Sequence, residues 1–206
     1  DQQTGSIFAS QKYNNAIGGA VIKVFNSLNL DATTYGNHEF DYSLNNTIKL
    51  RKLANYPFIS TNILDESKKP FGEIPYKIFK LDSLKVGVLG LTLTDLPEKV
   101  KRENVAELTI LPYKEAIDKY IEEVDKQSDL LILLTHNGFA ADSLLATELD
   151  DRVDLIIGGH SHTVISEPCK VNGIYLASTG AYLNYLGAIN LEVQNDHITS
   201  CLLYPS

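Results

Sequence analysis

The sequence predicts an α/β fold, a four-layer αββα sandwich with two sheets back to back and helices on each outer face. Three observations support it. Stretches of helical period alternate with short apolar runs of strand length, and the end of the chain is strand-rich. Four of the five histidines stand at or just past the carboxyl ends of apolar runs, where open α/β sheets bind ligands. No Pro/Gly/Ser-rich linker, internal repeat or low-complexity tract divides residues 1–206, which read as one domain.

Residues 15–28 carry Ile17, Ala20, Val21, Val24, Phe25 and Leu28 at helical spacing, which predicts an amphipathic helix packed on a sheet. A β-prone run over 32–35 follows, then a helix over 44–54 with Ser43 as N-cap, then a strand over 57–61. Thr61-Asn62-Ile63 shows no chemistry of its own. Residues 65–75, with Lys68, Lys69, Pro70, Gly72 and Pro75, read as a surface loop. Residues 76–81 and 85–91 read as paired strands joined through Asp82-Ser83. The charged, irregular stretch 92–107 reads as a solvated loop, a part in holding substrate being the lesser reading.

Pro112 opens a helix reaching residue 126, with Ala116, Ile117, Tyr120, Ile121 and Val124 inward. Buried strands over 129–134 and 153–157 flank a helix over 141–149. Residues 174–178, 185–193 and 198–204 read as β. The last two form a hairpin turning at Gln194-Asn195-Asp196, with His197 exposed beside it.

A chain of 206 residues can bury a full core, and 44% hydrophobic with 21% charged residues is ordinary for a globular protein. The net charge of −8, with no basic run, argues against a nucleic-acid polymer as partner. A small anionic substrate stays open, because bound metal ions can reverse the field at a site. No apolar stretch reaches membrane-spanning length. Cys169 and Cys201 are too few for a disulfide scaffold and read as small buried hydrophobes, a single bridge being the lesser reading.

Chemistry concentrates in three stretches. Gly36-Asn37-His38-Glu39-Phe40-Asp41 follows a strand, its glycine letting the backbone leave sharply. Asn37 offers a neutral oxygen to a metal, His38 can donate a proton, and Asp41 can hold the imidazole in one tautomer. Taken alone, this stretch reads equally well as a polar turn capping a helix. Thr135-His136-Asn137-Gly138 and Gly158-Gly159-His160-Ser161-His162 each follow a buried strand as well. Three such turns together make chance histidines a poor account. Glu39 is left with a structural role.

In order and spacing these stretches resemble the calcineurin-like metallophosphoesterase superfamily, in its 5′-nucleotidase branch. Asp1-Gln2-Gln3-Thr4-Gly5 is similar to that branch's second block, and Ser178-Thr179-Gly180-Ala181-Tyr182-Leu183 also fits. The resemblance implies the αββα fold of metallo-dependent phosphatases and two divalent cations, Zn, Mn, Fe or Co. It implies Asp1 bridging the cations, Asn37, His136 and His160 completing one site, and His162 serving the other. Asn37 and His38 would also touch substrate, with His38 and Asp41 assisting metal-bridged hydroxide as it attacks a nucleotide phosphate.

The superfamily's first block, an Asp-x-His pair upstream of the bridging Asp, does not occur among residues 1–206. The chain is therefore read as N-terminally incomplete and without the branch's C-terminal nucleotide-binding domain. The resemblance further implies a periplasmic, cell-surface or secreted protein. Two other functions remain open: a thiosulfohydrolase or nucleotide-sugar hydrolase on the same fold, and a non-catalytic metal- or ligand-binding module. The His38/Asp41 pair weighs against the module, which has no need of a proton donor.

Overall fold

The computed structural model describes residues 1–2, 5–167 and 169–205. A hairpin of β1 (Lys12–Tyr13) and β2 (Ala16–Ile17) turns on Asn14 and Asn15, both left-handed, as a two-residue turn matched to strand twist requires. This hairpin displaces the start of the first helix, so α1 spans Gly19–Ser27 instead of beginning at residue 15. Its buried anchor is Ile22, outside the expected stripe, while Val24 and Leu28 are exposed.

β3 (Thr33–Thr34) pairs in parallel with β4 (Phe58–Ile59), and between them a 3-10 turn over Asn37–Phe40 precedes α2 (Leu44–Leu53). Ser43 caps α2 as expected, its hydroxyl accepting from Asn46 N at 3.1 Å. β5 (Ile63–Leu64) comes next, then the antiparallel pair β6 (Tyr76–Leu81) and β7 (Leu84–Thr92). After α3 (Leu96–Lys99), β8 (Thr109–Ile110) returns to pair with β5.

The helix expected from Pro112 to residue 126 is two helices, α4 (Tyr113–Asp118) and α5 (Ile121–Asp125). Tyr120 leaves helical geometry at φ −126°, and its ring packs on Tyr76 with centroids 5.9 Å apart. The remaining elements are β9 (Leu130–His136), α6 (Phe139–Glu148), β10 (Leu155–Ile157), β11 (Cys169–Val171), β12 (Ile174–Ala177), β13 (Gly187–Gln194) and β14 (His197–Pro205). Asn195 and Asp196 turn the last hairpin with left-handed backbones, and His197 beside them is exposed.

Six strands form one sheet in the order β11-β12-β10-β9-β7-β6, with β12, β10, β9 and β7 mutually parallel. Side-chain alternation sorts its two faces. Leu89, Leu91, Leu131, Leu133, Ile156 and Leu176 pack against Ile117, Val124 and Leu145 of α4, α5 and α6. On the other face Val86, Val88, Ile132 and Leu134 meet Ile59, while Leu155 and Ala177 meet Ile189, Leu191 and Leu203 of the last hairpin.

Beyond β3 and β4, the helices α1 and α2 bury Ile22 and Leu50 against Tyr35 and Phe58. The layers thus run helix, sheet, β, helix. The second β layer is built from two-stranded ladders rather than one continuous sheet. Cys169 and Cys201 are free and half-buried. Among the described residues no helix is long and apolar enough to cross a membrane.

Candidate metal centre

The parallel strands β7 and β9 end together, with Thr92 opposite His136. From the end of β7, the Thr92 hydroxyl donates to the Tyr35 carbonyl at 2.7 Å, which holds the 36–41 turn at the same edge. Thr47 Oγ1 donates to Glu39 O at 2.6 Å, and Asn104 Nδ2 donates to the Phe40 and Asp41 carbonyls at 2.7 and 3.0 Å. Residues 92–107 are therefore no solvated loop. They bury Leu93, Leu96, Asn104 and Val105 beneath this turn, a role their charged surface concealed.

The chain's first residues reach the same place. Asp1 Oδ1 accepts from His38 N at 3.0 Å. Glu39, almost wholly buried, accepts from Gly36 N at 2.6 Å and from Gln2 N, and its Oε2 lies 3.1 Å from the Asp1 nitrogen. Burial opposes the ionisation of Glu39, and the Gln2 and Gly36 N–H donors favour it. Glu39 thus clamps two segments that share no strand pairing. The sequence held no signal for that reach, because the partners are backbone amides.

Gly36 is extended at φ −100°, so it does not serve a left-handed departure from the strand. A Cβ there would stand 2.1 Å from Asp1 Oδ1, and close approach is what requires glycine. Gln3 and Thr4 of the expected opening block lie outside the described residues.

Ligand atoms of Asp1, His136 and His160 all lie within 4.8 Å of one another. His136 Nε2 is 2.8 Å from Asp1 Oδ2, but it is not aligned as a hydrogen bond and stays unpartnered. The His136 and His160 rings meet edge to face with centroids 5.0 Å apart. Asn37, buried in the adjoining turn, also has an unpartnered Oδ1.

Burial pushes His136 below its usual range, and burial lowers His160 as well. Both imidazoles are neutral near pH 7, the form that ligates metal. His160 and His162 both take left-handed backbones, at φ 78° and 56°. Such strain costs about 1–3 kcal/mol per residue and gathers at functional sites. His160 meets the His136 ring while His162 packs on Tyr182, centroids 5.1 Å apart, outside the Asp1–His136–His160 group.

His38 Nδ1 lies 2.7 Å from Asp41 Oδ2 on the exposed side of the turn, the pairing the spacing suggested. One further carboxylate escaped the sequence reading. Asp142 of α6, 2% exposed, accepts from Thr135 Oγ1 at 2.8 Å and Asn137 Nδ2 at 3.1 Å, the residues on either side of His136. Burial pushes it up to about 6 against those two donors. Its signal was faint: it is the one charge in residues 139–147, which a helix start also explains.

A carboxylate and two neutral imidazoles converging without hydrogen bonds to one another, with an orphaned buried amide oxygen in the adjoining turn, fit a divalent transition cation better than a closed polar core. Comparison with known proteins agrees. The family model for calcineurin-like phosphoesterases matches residues 7–164, a span that holds Asn37, His38, Asp41, His136, His160 and His162. The chain belongs to that family.

The chain is 34% identical over 180 residues to a snake venom 5′-nucleotidase of Naja atra, covering 80% of this chain and 31% of that protein. It is 29% identical over 206 residues to a 5′-nucleotidase of Vibrio cholerae, covering 85% and 37%. Its fold superposes on a putative 5′-nucleotidase from Staphylococcus aureus with a TM-score of 0.81 at 24% identity, over 90% of this chain and 39% of that one. The chain spans about a third of the length of those curated relatives.

Proposed function

We propose that residues 1–206 act as the metal-binding domain of a dinuclear phosphoester hydrolase of the 5′-nucleotidase type. The reading is supported most directly by the convergence of Asp1, His136 and His160 ligand atoms within 4.8 Å. Asp1, Asn37, His136 and His160 would hold one cation, with Asp1 shared by a second that His162 serves. When bound, such a pair polarises a phosphoryl group and lowers the pKa of water.

The chain's own residues supply the rest. Asp41 fixes His38 through Nδ1 at 2.7 Å, which leaves Nε2 to face substrate. In its protonated form His38 donates to the leaving alkoxide oxygen or to the phosphoryl oxygens as charge builds there. Asn37 stands one residue away, so a phosphate seated between the two would meet a donor and a ligand from the same turn. The net charge of −8 makes an anionic substrate depend on bound cations to offset the field. A relative found in venom supports export of the whole protein.

The test is hydrolysis of AMP, ATP, UDP-glucose and 2′,3′-cyclic AMP, with thiosulfate beside them, each read by chromatography of its products after loading with Mn²⁺ or Zn²⁺. Turnover of a nucleotide, lost on chelation, is the expected result. A loaded protein that cleaves none of the phosphoesters overturns the proposal, and turnover of thiosulfate alone moves it to sulfur chemistry.

A further inference from the structure

Two of the proposed ligands, His136 and His160, come from different strand ends, and nothing in their own hydrogen bonding fixes the gap between them. One buried side chain touches both supports. Asp142 sits under the centre on α6 and grips the β9 end on both sides of His136, through Thr135 Oγ1 at 2.8 Å and Asn137 Nδ2 at 3.1 Å. The same carboxylate abuts the turn that carries His160, since a Cβ on Gly158 would stand 2.4 Å from Asp142 Oδ2. A bond from Phe139 N to Ser161 Oγ at 3.0 Å ties the start of α6 to that turn as well.

The Asn137 amide must present its nitrogen to the carboxylate, and its Oδ1 is accordingly buried with no partner. An isolated buried carboxylate is costly, and here it is spent on two short-range donors flanking a ligand rather than on an ion pair.

We propose that Asp142 is a positioning residue, whose buried carboxylate holds the chain on both sides of His136 and the Gly158 turn so that the His136 and His160 imidazoles keep their mutual placement toward a shared cation. It rests on the reading of those histidines as ligands and on no particular substrate. Residues that orient ligands in this way typically hold about 10- to 100-fold in metal affinity. The role works through hydrogen bonds and packing, not charge. In Asp142→Asn the new amide oxygen still accepts from Thr135, and its nitrogen donates to Asn137 once that amide turns over and brings its orphaned Oδ1 inward.

The experiment is chelator competition with Zn²⁺ and with Mn²⁺ on the whole chain, beside thermal unfolding of the metal-free protein. Asp142→Ala is expected to weaken binding about 10- to 100-fold, while Asp142→Asn stays within about threefold of the parent. Thr135→Val, which removes one grip and keeps the shape, should fall between them, and it carries the test if Asp142→Ala does not fold. Parental affinity in Asp142→Ala or Thr135→Val, even with a lowered Tm, assigns these groups to packing alone and overturns the proposal. Equal losses in Asp142→Ala and Asp142→Asn overturn it too, in favour of charge. A chain that binds cations yet cleaves no phosphoester removes the hydrolase reading and leaves this one standing, whereas a parent that binds neither cation overturns both.

Discussion

Asp1 Oδ2 and His136 Nε2 stand 2.8 Å apart without being aligned as a hydrogen bond. Two strong polar atoms that approach so closely without bonding each other are spaced as ligands of one ion would be. With His160 within the same 4.8 Å group, these three side chains could hold a cation between them.

Cation binding should therefore stabilise the fold measurably. Mn²⁺ or Zn²⁺ at about 100 times its Kd adds about 2.7 kcal/mol, which at about 2–4 °C per kcal/mol for a chain of this size raises Tm by several degrees. Calorimetry should show the shift, and chelation should reverse it. His136→Ala or His160→Ala should lose the shift and the bound metal found by elemental analysis.

His38 lies outside that group and faces solvent, paired at 2.7 Å with Asp41. His38→Ala should reduce kcat about 10²- to 10⁴-fold while metal content and Tm shift stay as in the parent. Asp41→Asn should cost less, because the ring keeps a partner of the same shape. Lost metal in His38→Ala would make the residue a ligand instead of a proton donor.

Gly36→Ala tests the approach of the two segments. The added methyl would stand 2.1 Å from Asp1 Oδ1 and 2.7 Å from the Asp1 nitrogen, so Asp1 must move away. Metal affinity should drop by at least about 10-fold, and the six-stranded sheet, whose strand pairing does not involve Gly36 or Asp1, should unfold cooperatively as before. Unchanged affinity would show that Asp1 is not a ligand.

Asp154, beside β10, carries the clearest pH signature away from the centre. Burial pushes it up to about 6, opposed by Leu131 N, which donates at 2.9 Å, and by His197, while Asp125 and Asp196 add to the rise. Between about pH 4 and 6 the folded chain keeps a proton that the unfolded chain has lost, so stability falls as pH rises through that window. Above it the penalty is complete. Asp154→Asn, which still accepts from Leu131, should be more stable than the parent by up to about 1 kcal/mol at neutral pH, after allowance for solvent screening. The two should unfold alike below about pH 4 in urea titrations.

Much of this was legible in the residues because the cues are local. Apolar runs such as 130–134 mark buried strands, and a polar turn with histidine straight after one marks the ligand edge of a sheet. The His38–Asp41 pairing follows from a spacing of three along a tight turn. Local period misled where tertiary contacts overrode it. The hairpin at Asn14 and Asn15 cut short α1, the packing of Tyr120 on Tyr76 split the helix after Pro112, and residues 92–107 turned inward through Asn104.

The order of motifs along the chain was enough to specify an α/β sandwich with its chemistry at strand ends, because periodicity and turn residues act over a few positions. Which atoms meet there depended on the folded molecule. Glu39 reaching the Asp1 segment, Gly36 standing bare against Asp1, and Asp142 gripping both flanks of His136 are contacts between parts distant in sequence or hidden behind a helix period. Hydrogen bonds to backbone amides and collisions with a missing methyl leave no pattern in a sequence, since they exist only once the layers have closed.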